Sequence, residues 1–305
     1  MKTFTLVLTG ILGFTTVMAQ PPKVASYTLD NINLPAEMNK QVCISGMKSY
    51  KGQLYFASER CPQIIVFDPA KAAITNTISI QVPQQFEMEG LTSYKDKLYA
   101  ISENIAAVYE INIQSGEIKT VTTSNTLPPK SKDGDGMEGI AANEKNNKFY
   151  LLRERNDDMS KSEIYTYSAE PGNATSPLLL NKETMIELPL QNPQWRYSDI
   201  CVDTAGSRLL CLKSYAKGKF RQQYLESIDI DANGKLLVET LKDIPVENFT
   251  DASVSYKTQQ YSMNLEGITI DSNGTIYIIS DNTSGKASCE LDAKEKTILL
   301  ELKRK

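Results

Sequence analysis

The 305-residue sequence contains no histidine. This absence excludes Ser-His-Asp and Cys-His nucleophilic systems, histidine acid phosphatases, and zinc or iron sites that depend on imidazole ligands. Any catalysis must therefore use carboxylates, hydroxyls, lysine or arginine, or a hard metal ion held by oxygen atoms.

The sequence also lacks a long apolar run. Its first 19 residues have a lysine at position 2, an apolar stretch over 4–18 and small residues before a cut after Ala19. This pattern is typical of a secretory signal peptide and is too short for a transmembrane anchor. We therefore expect an exported protein, periplasmic or extracellular, with one mature domain over residues 20–305 and no membrane partner.

Positive charge is not in excess either. The chain has 33 basic and 37 acidic residues, a formal net charge of −4, and no basic stripe. This balance argues against nucleic acid as a partner. No Gly/Ser/Pro-rich linker divides the chain, and we expect a monomer.

Five segments share one pattern: a short apolar strand headed by a polar residue, a polar turn, and a second strand ending in polar or acidic residues. Examples are MEGLTSYKDKLYAISEN (88–104) and LEGITIDSNGTIYIISDN (265–282). Two further strands follow most of them. The heading residues are Ser45, Glu89, Glu138, Asp199 and Glu266, at intervals of about 44 to 67 residues.

This spacing predicts an all-β propeller of five four-stranded blades. A sixth, degenerate blade between Asp199 and Glu266 remains an alternative. The last repeat lacks a fourth strand, and the stretch VASYTLDNI (24–32) is an unassigned strand. We expect it to complete the last blade and close the ring, because a closed ring leaves no open sheet edge.

The acidic residues are expected to meet at one mouth of the central channel. Pairing in an antiparallel ladder keeps the sum of residue numbers constant, which places Glu103 beside the first acid of blade two. The same rule pairs Glu138 with Glu154, and Glu266 with Asp281. Neighbouring carboxylates about 5 Å apart repel by roughly 3 kcal/mol, so protons or a hard cation must offset the charge. The expected metal ligands are Glu89, Glu103, Glu138, Asp199, Glu266 and Asp281, and Ca²⁺ is the favoured ion in an exported protein.

Basic residues lie near the same mouth, among them Arg153 and Arg155. They either hold an anionic ligand, such as phosphate or carboxylate, or balance the acids through ion pairs. Both interpretations are open at this point.

Five cysteines in an exported chain suggest disulfide bonds. Antiparallel register predicts Cys43–Cys61 and Cys201–Cys211, and leaves Cys289 unpaired. An alternative is that these thiols are reduced and buried.

The stretches LEGITIDSNGTIYIISDN and MEGIAANEKNNKFYLLRERN resemble the phytase-like propellers, called esterase-like, and their SdiA-regulated relatives. The resemblance implies a Ca²⁺ site at the acidic mouth and hydrolysis of an ester or phosphoester. Glu154 is then the candidate carboxylate that positions water, and Arg153 or Arg155 holds a small anionic or ester substrate. The alternative is a non-catalytic binding or scaffold propeller with a structural Ca²⁺ ion.

Overall fold

The structure is a computed structural model that describes most of the chain after residue 25. The described residues are 26–83, 86–132, 135–173, 176–205, 207–218, 220–247, 249, 262–282 and 289–305. The expected signal peptide and its cleavage site at Ala19 lie outside these residues.

The described strands form five antiparallel sheets, which are the blades of a β-propeller. Blade one contains β2 (Ile44–Tyr50), β3 (Gln53–Ser58), β4 (Gln63–Asp68) and β5 (Ala73–Ser79). Blade two contains β6 (Met88–Tyr94), β7 (Lys97–Ser102), β8 (Ala107–Ile111) and β9 (Ile118–Thr120). Blade three contains β11 (Met137–Asn143), β12 (Lys148–Arg153), β13 (Lys161–Pro171) and β14 (Leu178–Pro189), and the short β10 (Thr122–Thr123) pairs in parallel with β14.

Blade four is formed by four consecutive strands, whereas blade five is completed from the other end of the chain. Blade four contains β15 (Trp195–Asp203), β16 (Arg208–Lys217), β17 (Phe220–Ile230) and β18 (Leu236–Asp243). Blade five contains β19 (Asn264–Ile270), β20 (Ile276–Asp281), β21 (Leu299–Arg304) and β1 (Tyr27–Ile32). A 3₁₀ helix (Ala36–Asn39) connects β1 to blade one.

The ring closes as the sequence predicts. Strand β1 pairs with β21 over six residues, from Tyr27 opposite Arg304 to Ile32 opposite Leu299. The first strand of each blade, here called its inner strand, contacts the inner strands of both neighbouring blades, in the order β2, β6, β11, β15, β19 and again β2. Five blades are therefore confirmed, and the six-blade alternative is wrong. No helix among the described residues is long and apolar enough to cross a membrane.

The hydrophobic core is divided among the seams between blades. In the part of the chain that the structure describes, buried side chains form five clusters, and each one joins two adjacent blades. The cluster between blades two and three, for example, packs Tyr94 and Tyr99 against Phe149, with ring centroids 5.1 and 5.5 Å from the phenylalanine. Because apolar burial stabilises the fold in proportion to area, each blade depends on both neighbours for its stability.

Two glycines show how closely the inner strands approach each other. A Cβ atom at Gly46 would lie 2.1 Å from the carbonyl oxygen of Glu89, and one at Gly90 would lie 2.6 Å from the amide nitrogen of Ile140. Neither position can accept a side chain without moving backbone, which explains the glycine after the heading residue.

The disulfide bond differs from the predicted ones. It joins Cys61, which follows β3, to Cys289, which precedes β21, so it links blade one to blade five. The predicted Cys43–Cys61 pair is wrong, because Cys61 lies beyond the paired part of β3 and reaches across the seam between these blades. Nearby, the Gln41 amide donates to the carbonyl of Leu291 at 2.9 Å, which joins the same two segments.

The predicted Cys201–Cys211 pair is also wrong. An irregularity in β15 shifts the register by one, so that Cys211 lies opposite Ile200 and Cys201 lies opposite Leu210. The two thiols consequently face different seams, since Cys201 packs between blades four and five and Cys211 between blades three and four. Both cysteines are reduced and buried, as is Cys43.

Candidate functional site

The inner strand of every blade contains a β-bulge near its start. A bulge leaves a residue without a partner in the ladder and changes the direction of its side chain. All five bulges lie at the same end of the channel, because every inner strand begins there. The bulged residues, which we call the bulge ring, are Ser45, Glu89, Glu138, Ser198 and Glu266, with Gly90 included in blade two.

A second ring of side chains lies beside the first. In each blade, the last residue before the bulge pairs with a residue of the second strand. The next residue along the chain from that partner is the member of the second ring. In blades one to three the backbone N–H of this residue extends the hydrogen bonding between the first two strands. In blade three, for example, the Glu154 amide donates to the carbonyl of Gly136 at 2.9 Å. The members of this second ring are Glu59, Glu103, Glu154, Ser214 and Asp281. The structure therefore brings together the acid pairs that the sequence predicts within blades two, three and five.

Blade four departs from the pattern of the other blades. Ser198 occupies its bulge and donates to the carbonyl of Leu265 at 3.0 Å. Asp199 lies one residue deeper, at the position that is glycine in the other blades. Its carboxylate accepts the N–H groups of Ile200 at 2.8 Å and Ile268 at 2.9 Å, while burial raises its pKa well above the usual range. Asp199 thus joins blades four and five through the backbone, whereas the sequence places it with the metal ligands.

The remaining acids of the bulge ring strongly affect each other's ionisation. Burial, followed by the charges of Glu59 and Glu103, raises the pKa of Glu89 well above its usual value, although Ser45 donates a hydrogen bond to it. Burial and the charge of Glu89 likewise raise the pKa of Glu138. The mouth therefore favours species that lower its negative charge, such as protons or a cation.

Three carboxylates at this mouth have the spacing of a metal site. Glu59, Glu87 and Glu89 each place one oxygen within 4.8 Å of the other two. Two oxygens on opposite sides of a Ca²⁺ ion are about 5 Å apart, so this oxygen-only set fits such an ion. We call these residues the acidic triad. Only Glu89 belongs to the predicted ligand set.

Glu59 and Glu87 were recognisable in the sequence. Glu59 follows β3 as Glu103 follows β7, and Glu87 stands two residues before Glu89. The structure places the other predicted ligands, Glu103, Glu138, Glu266 and Asp281, at the same mouth but outside the acidic triad.

Arg196 also lies at the mouth, although no motif in the sequence indicates it. Its guanidinium donates to Glu154 at 2.7 Å, to Glu266, and to Asn264 at 2.8 Å. It lies in blade four at the position that Glu87 holds in blade two, two residues before the bulge. Blade four therefore contributes positive charge where blade two contributes negative charge, and Arg196 crosses from blade three to blade five.

Other cations pair with the remaining acids. Lys130 contacts Glu87 at 3.0 Å and also contacts Glu103, while Arg60 contacts Glu59 at 2.7 Å. These pairs offset part of the repulsion within the chain itself.

Glu154 and Asp135 form an asymmetric carboxyl pair. Burial raises the pKa of Glu154 to about 7, and its hydrogen bond with Asp135 acts in the same direction, against the opposing effect of Arg196. Hydrogen bonds from Glu154 and Arg155 lower the pKa of Asp135 despite its burial. Two neighbouring carboxyls with separated pKa values are suited to general acid and base roles at neutral pH.

The two predicted anion-binding arginines lie in different places. Arg155 lies at the mouth, where it contacts Asp135 at 2.6 Å and donates to the carbonyl of Pro193 at 2.6 Å. Arg153 points away from the channel, because it contacts Asp157 at 2.6 Å and Glu163 at 3.6 Å on the side of β13.

The raised pKa values predict how stability depends on pH. Burial is the first cause in each case, and it raises the pKa of Glu103, Glu154 and Glu266 from 4.5 to about 7. The folded protein then binds more protons than the unfolded chain between pH 4.5 and 7, so the free energy of unfolding falls as pH rises through this window.

We expect the metal-free protein to lose about 3 kcal/mol or more between pH 5 and pH 8, measured by urea unfolding. Added Ca²⁺ should reduce this loss, because an ion replaces the protons. Stability that increases over the same interval would contradict the assignment of these carboxyls.

The fold and the acidic mouth define the class of protein as a five-bladed propeller with a carboxylate-rich channel entrance. The sequence profile of the phytase-like family, described as esterase-like activity of phytase, matches residues 46–283. The chain therefore belongs to the phytase-like family.

A solved structure of low sequence identity has a similar fold. The glutaminyl cyclase of Myxococcus xanthus has a TM-score of 0.50 at 12% identity, with 92% of this chain and 98% of that chain covered. A streptogramin B lyase structure has a TM-score of 0.46 at 14% identity, with 91% and 98% covered. No curated protein matches the chain in sequence. At such low identity the likeness to glutaminyl cyclase shows the fold alone.

Proposed function

We propose that this protein is an exported, Ca²⁺-binding hydrolase that cleaves an ester or phosphoester of a small anionic substrate at the acidic mouth. The observation that carries the proposal is Glu154, a buried carboxyl at the mouth that accepts a 2.7 Å hydrogen bond from Arg196. Burial raises its pKa to about 7, and its interaction with Asp135 acts in the same direction. Membership of the phytase-like family supports the same class of reaction. We further propose that the protein acts as a monomer, without nucleic acid or membrane partner.

The acidic triad is the proposed ion site. A Ca²⁺ ion bound there supplies a Lewis acid that polarises a carbonyl or phosphoryl oxygen. Glu59, Glu87 and Glu89 would hold the ion, and Arg60 and Lys130 would then move from the carboxylates that they contact. Glu103, Glu138, Glu266 and Asp281 add negative charge around it.

Glu154 is the proposed general base. In its ionised form it accepts a proton from water, and it returns that proton to the leaving oxygen. Arg155 and Arg196 hold Glu154 in place and stabilise negative charge that develops on the substrate. Arg155 is the better placed of the two arginines predicted for this role, since Arg153 faces away from the channel.

Export is supported by two features. The first 19 residues have the composition of a signal peptide, with cleavage after Ala19. The Cys61–Cys289 disulfide bond fits an oxidising compartment, where such bonds persist.

The alternative is a non-catalytic propeller in which the ion only stabilises the ring. Ion pairs favour this alternative, because Arg60, Lys130 and Arg196 already balance acids at the mouth. Both proposals predict Ca²⁺ binding, and they differ in turnover.

The test is hydrolysis by the purified protein of 4-nitrophenyl acetate, 4-nitrophenyl phosphate and phytate. We expect turnover in Ca²⁺ that falls about tenfold or more after metal removal and returns when Ca²⁺ is restored. A rise in melting temperature with Ca²⁺, but no turnover of any substrate, would establish the alternative. If Ca²⁺ produces neither a rise in melting temperature nor turnover, both the hydrolase and the non-catalytic Ca²⁺-binding propeller are excluded. Glu89→Gln should abolish the Ca²⁺-dependent rise, whereas Glu110→Gln, which changes a carboxylate on β8 bound by Lys97, should not.

A further inference from the structure

A cleft lies beside blade three, next to the acidic mouth. It has a volume of about 550 Å³, within the range of small-ligand sites. The segment that leads into blade three and the end of β12 form its walls. Three cationic side chains and one carboxylate line it: the lining residues are Pro128, Pro129, Lys130, Ser131, Lys132, Arg153 and Asp157.

Arg153 lines this cleft and carries a buried donor without a partner in the described part of the chain. Its side chain is only 9% exposed, and its Nε–H group is buried without a hydrogen-bond partner among the described residues. A buried donor left in this state costs about 1–3 kcal/mol. Its Nη2 contact is with Asp157, whose side chain is 83% exposed, so that ion pair is weak and easily exchanged for another anion.

The wall opposite Arg153 is held in place before any ligand binds. The Ser131 amide donates to the carbonyl of Asp135 at 2.7 Å, and the Asp135 amide donates to the Ser131 hydroxyl at 3.1 Å. Asp135 is itself fixed by Arg155, and the two prolines restrict the backbone before Lys130. A preformed wall lowers the entropy lost on binding.

Lys130 connects the cleft to the mouth. Its ammonium contacts Glu87, a member of the acidic triad, and Glu103, while its chain lines the cleft. Lys132 is exposed at the rim and has no ion-pair partner among the described residues. Carboxylates already contact Lys130 and Arg153, so the cation that remains available to an incoming anion without exchange of a partner is Lys132.

We propose that this cleft binds the phosphate or carboxylate group of a small organic anion. The anion pairs with the Arg153 guanidinium in place of Asp157, and it accepts hydrogen bonds from the two lysines. Binding here does not require an ion at the acidic triad. If the proposed hydrolysis also holds, the cleft positions a second anionic group of the same substrate, and this last step rests on the proposed function.

The test is calorimetric titration of the full mature protein after metal removal. The chelator must be removed by gel filtration, because it is itself a polyanion. The probes are inorganic phosphate, glycerol 2-phosphate and citrate at low ionic strength. We expect one binding site, and binding of phosphates alone or of citrate alone assigns the preferred anion.

Three variants locate the binding site. Arg153→Lys keeps the charge but loses the guanidinium, and it should weaken binding more than about tenfold. Lys132→Gln changes an exposed side chain that is not needed for folding, and it should weaken binding about fivefold. Lys97→Gln, at the start of β7 in blade two where Lys97 pairs with Glu110, is the control and should bind as the wild type does.

The proposal is overturned if the wild-type protein binds none of the probes up to about 10 mM. It is also overturned if Lys132→Gln and a folded Arg153→Lys both bind like the wild type. The titrations contain no Ca²⁺ and do not measure hydrolysis. Absence of anion binding therefore does not contradict the proposed hydrolysis, and absence of hydrolysis does not contradict anion binding in the cleft.

Discussion

Replacement of Glu154 by glutamine is expected to lower kcat for ester hydrolysis by about 100-fold or more, with a smaller change in KM. Glutamine keeps the shape of the side chain and can still accept a hydrogen bond from Arg196. It cannot take up a proton from water, because an amide is not a base at neutral pH. The loss should therefore appear in the chemical step, measured as kcat under saturating substrate and Ca²⁺.

The pH profile separates this role from a structural one. In the wild-type protein, kcat should rise with pH through a group of pKa about 7, and Glu154→Gln should lose this limb. Glu110→Gln is the matched control, because it changes another partly buried, hydrogen-bonded carboxylate, on β8. A Glu154→Gln protein that keeps wild-type kcat and the same pH profile would show that another group acts as the base.

Replacement of Arg196 by methionine should lower the free energy of unfolding by about 3–5 kcal/mol at pH 8. Arg196 contacts Glu154 and Glu266, whose side chains are only 4% and 11% exposed. Without the guanidinium, two buried carboxylates on blades three and five lose their counter-charge. The quantity to measure is the urea unfolding free energy.

The effect should shrink at pH 5. Both carboxyls have a pKa of about 7, so they are protonated at pH 5 and need no counter-charge. Arg208→Met is the control, because Arg208 pairs with a single carboxylate, Asp203, far from the mouth. A loss at pH 8 no larger than that of the control, or an equal loss at both pH values, would refute the role assigned to Arg196.

Much of the fold was predictable because each blade carries its own local signals. Alternating Val, Ile, Tyr and Thr residues, polar turns and the glycine of the inner strand recur in every repeat except the fourth. The closing strand was also predictable, since a four-stranded blade with only three assigned strands needs a partner from elsewhere in the chain. Because these signals depend on short stretches of sequence, they predict the strands of each blade without knowledge of tertiary contacts.

The bulges account for several errors in the predicted site. A bulge adds a residue to one strand, so pairing beyond it differs by one from that of a regular hairpin. In blade four this shift separates Cys201 from Cys211 and places Ser198, rather than Asp199, in the bulge ring. No pattern of residue types near Asp199 distinguishes the two alternatives.

Contacts between blades account for the rest. The Cys61–Cys289 bond and the bridge made by Arg196 each join residues from different repeats. Repeat comparison aligns equivalent positions within blades, so it does not report which side chains meet across a seam. Glu87 and Arg196 occupy equivalent positions in their blades and have opposite charge. Only the assembled ring shows that Glu87 belongs to the acidic triad, whereas Arg196 forms ion pairs with acids of two other blades.

Closure of blade five by β1 also constrains how the protein folds. Strand β1 cannot pair with β21 until β21 has been synthesised. The first strand of the domain therefore remains unpaired until the last strand is made. Contacts of such long sequence separation slow folding, because the entropy of loop closure is lost before the contact forms. Partly made chains therefore expose an unpaired edge at both ends of an open arc of blades, which is the stage at which they are most prone to associate with one another.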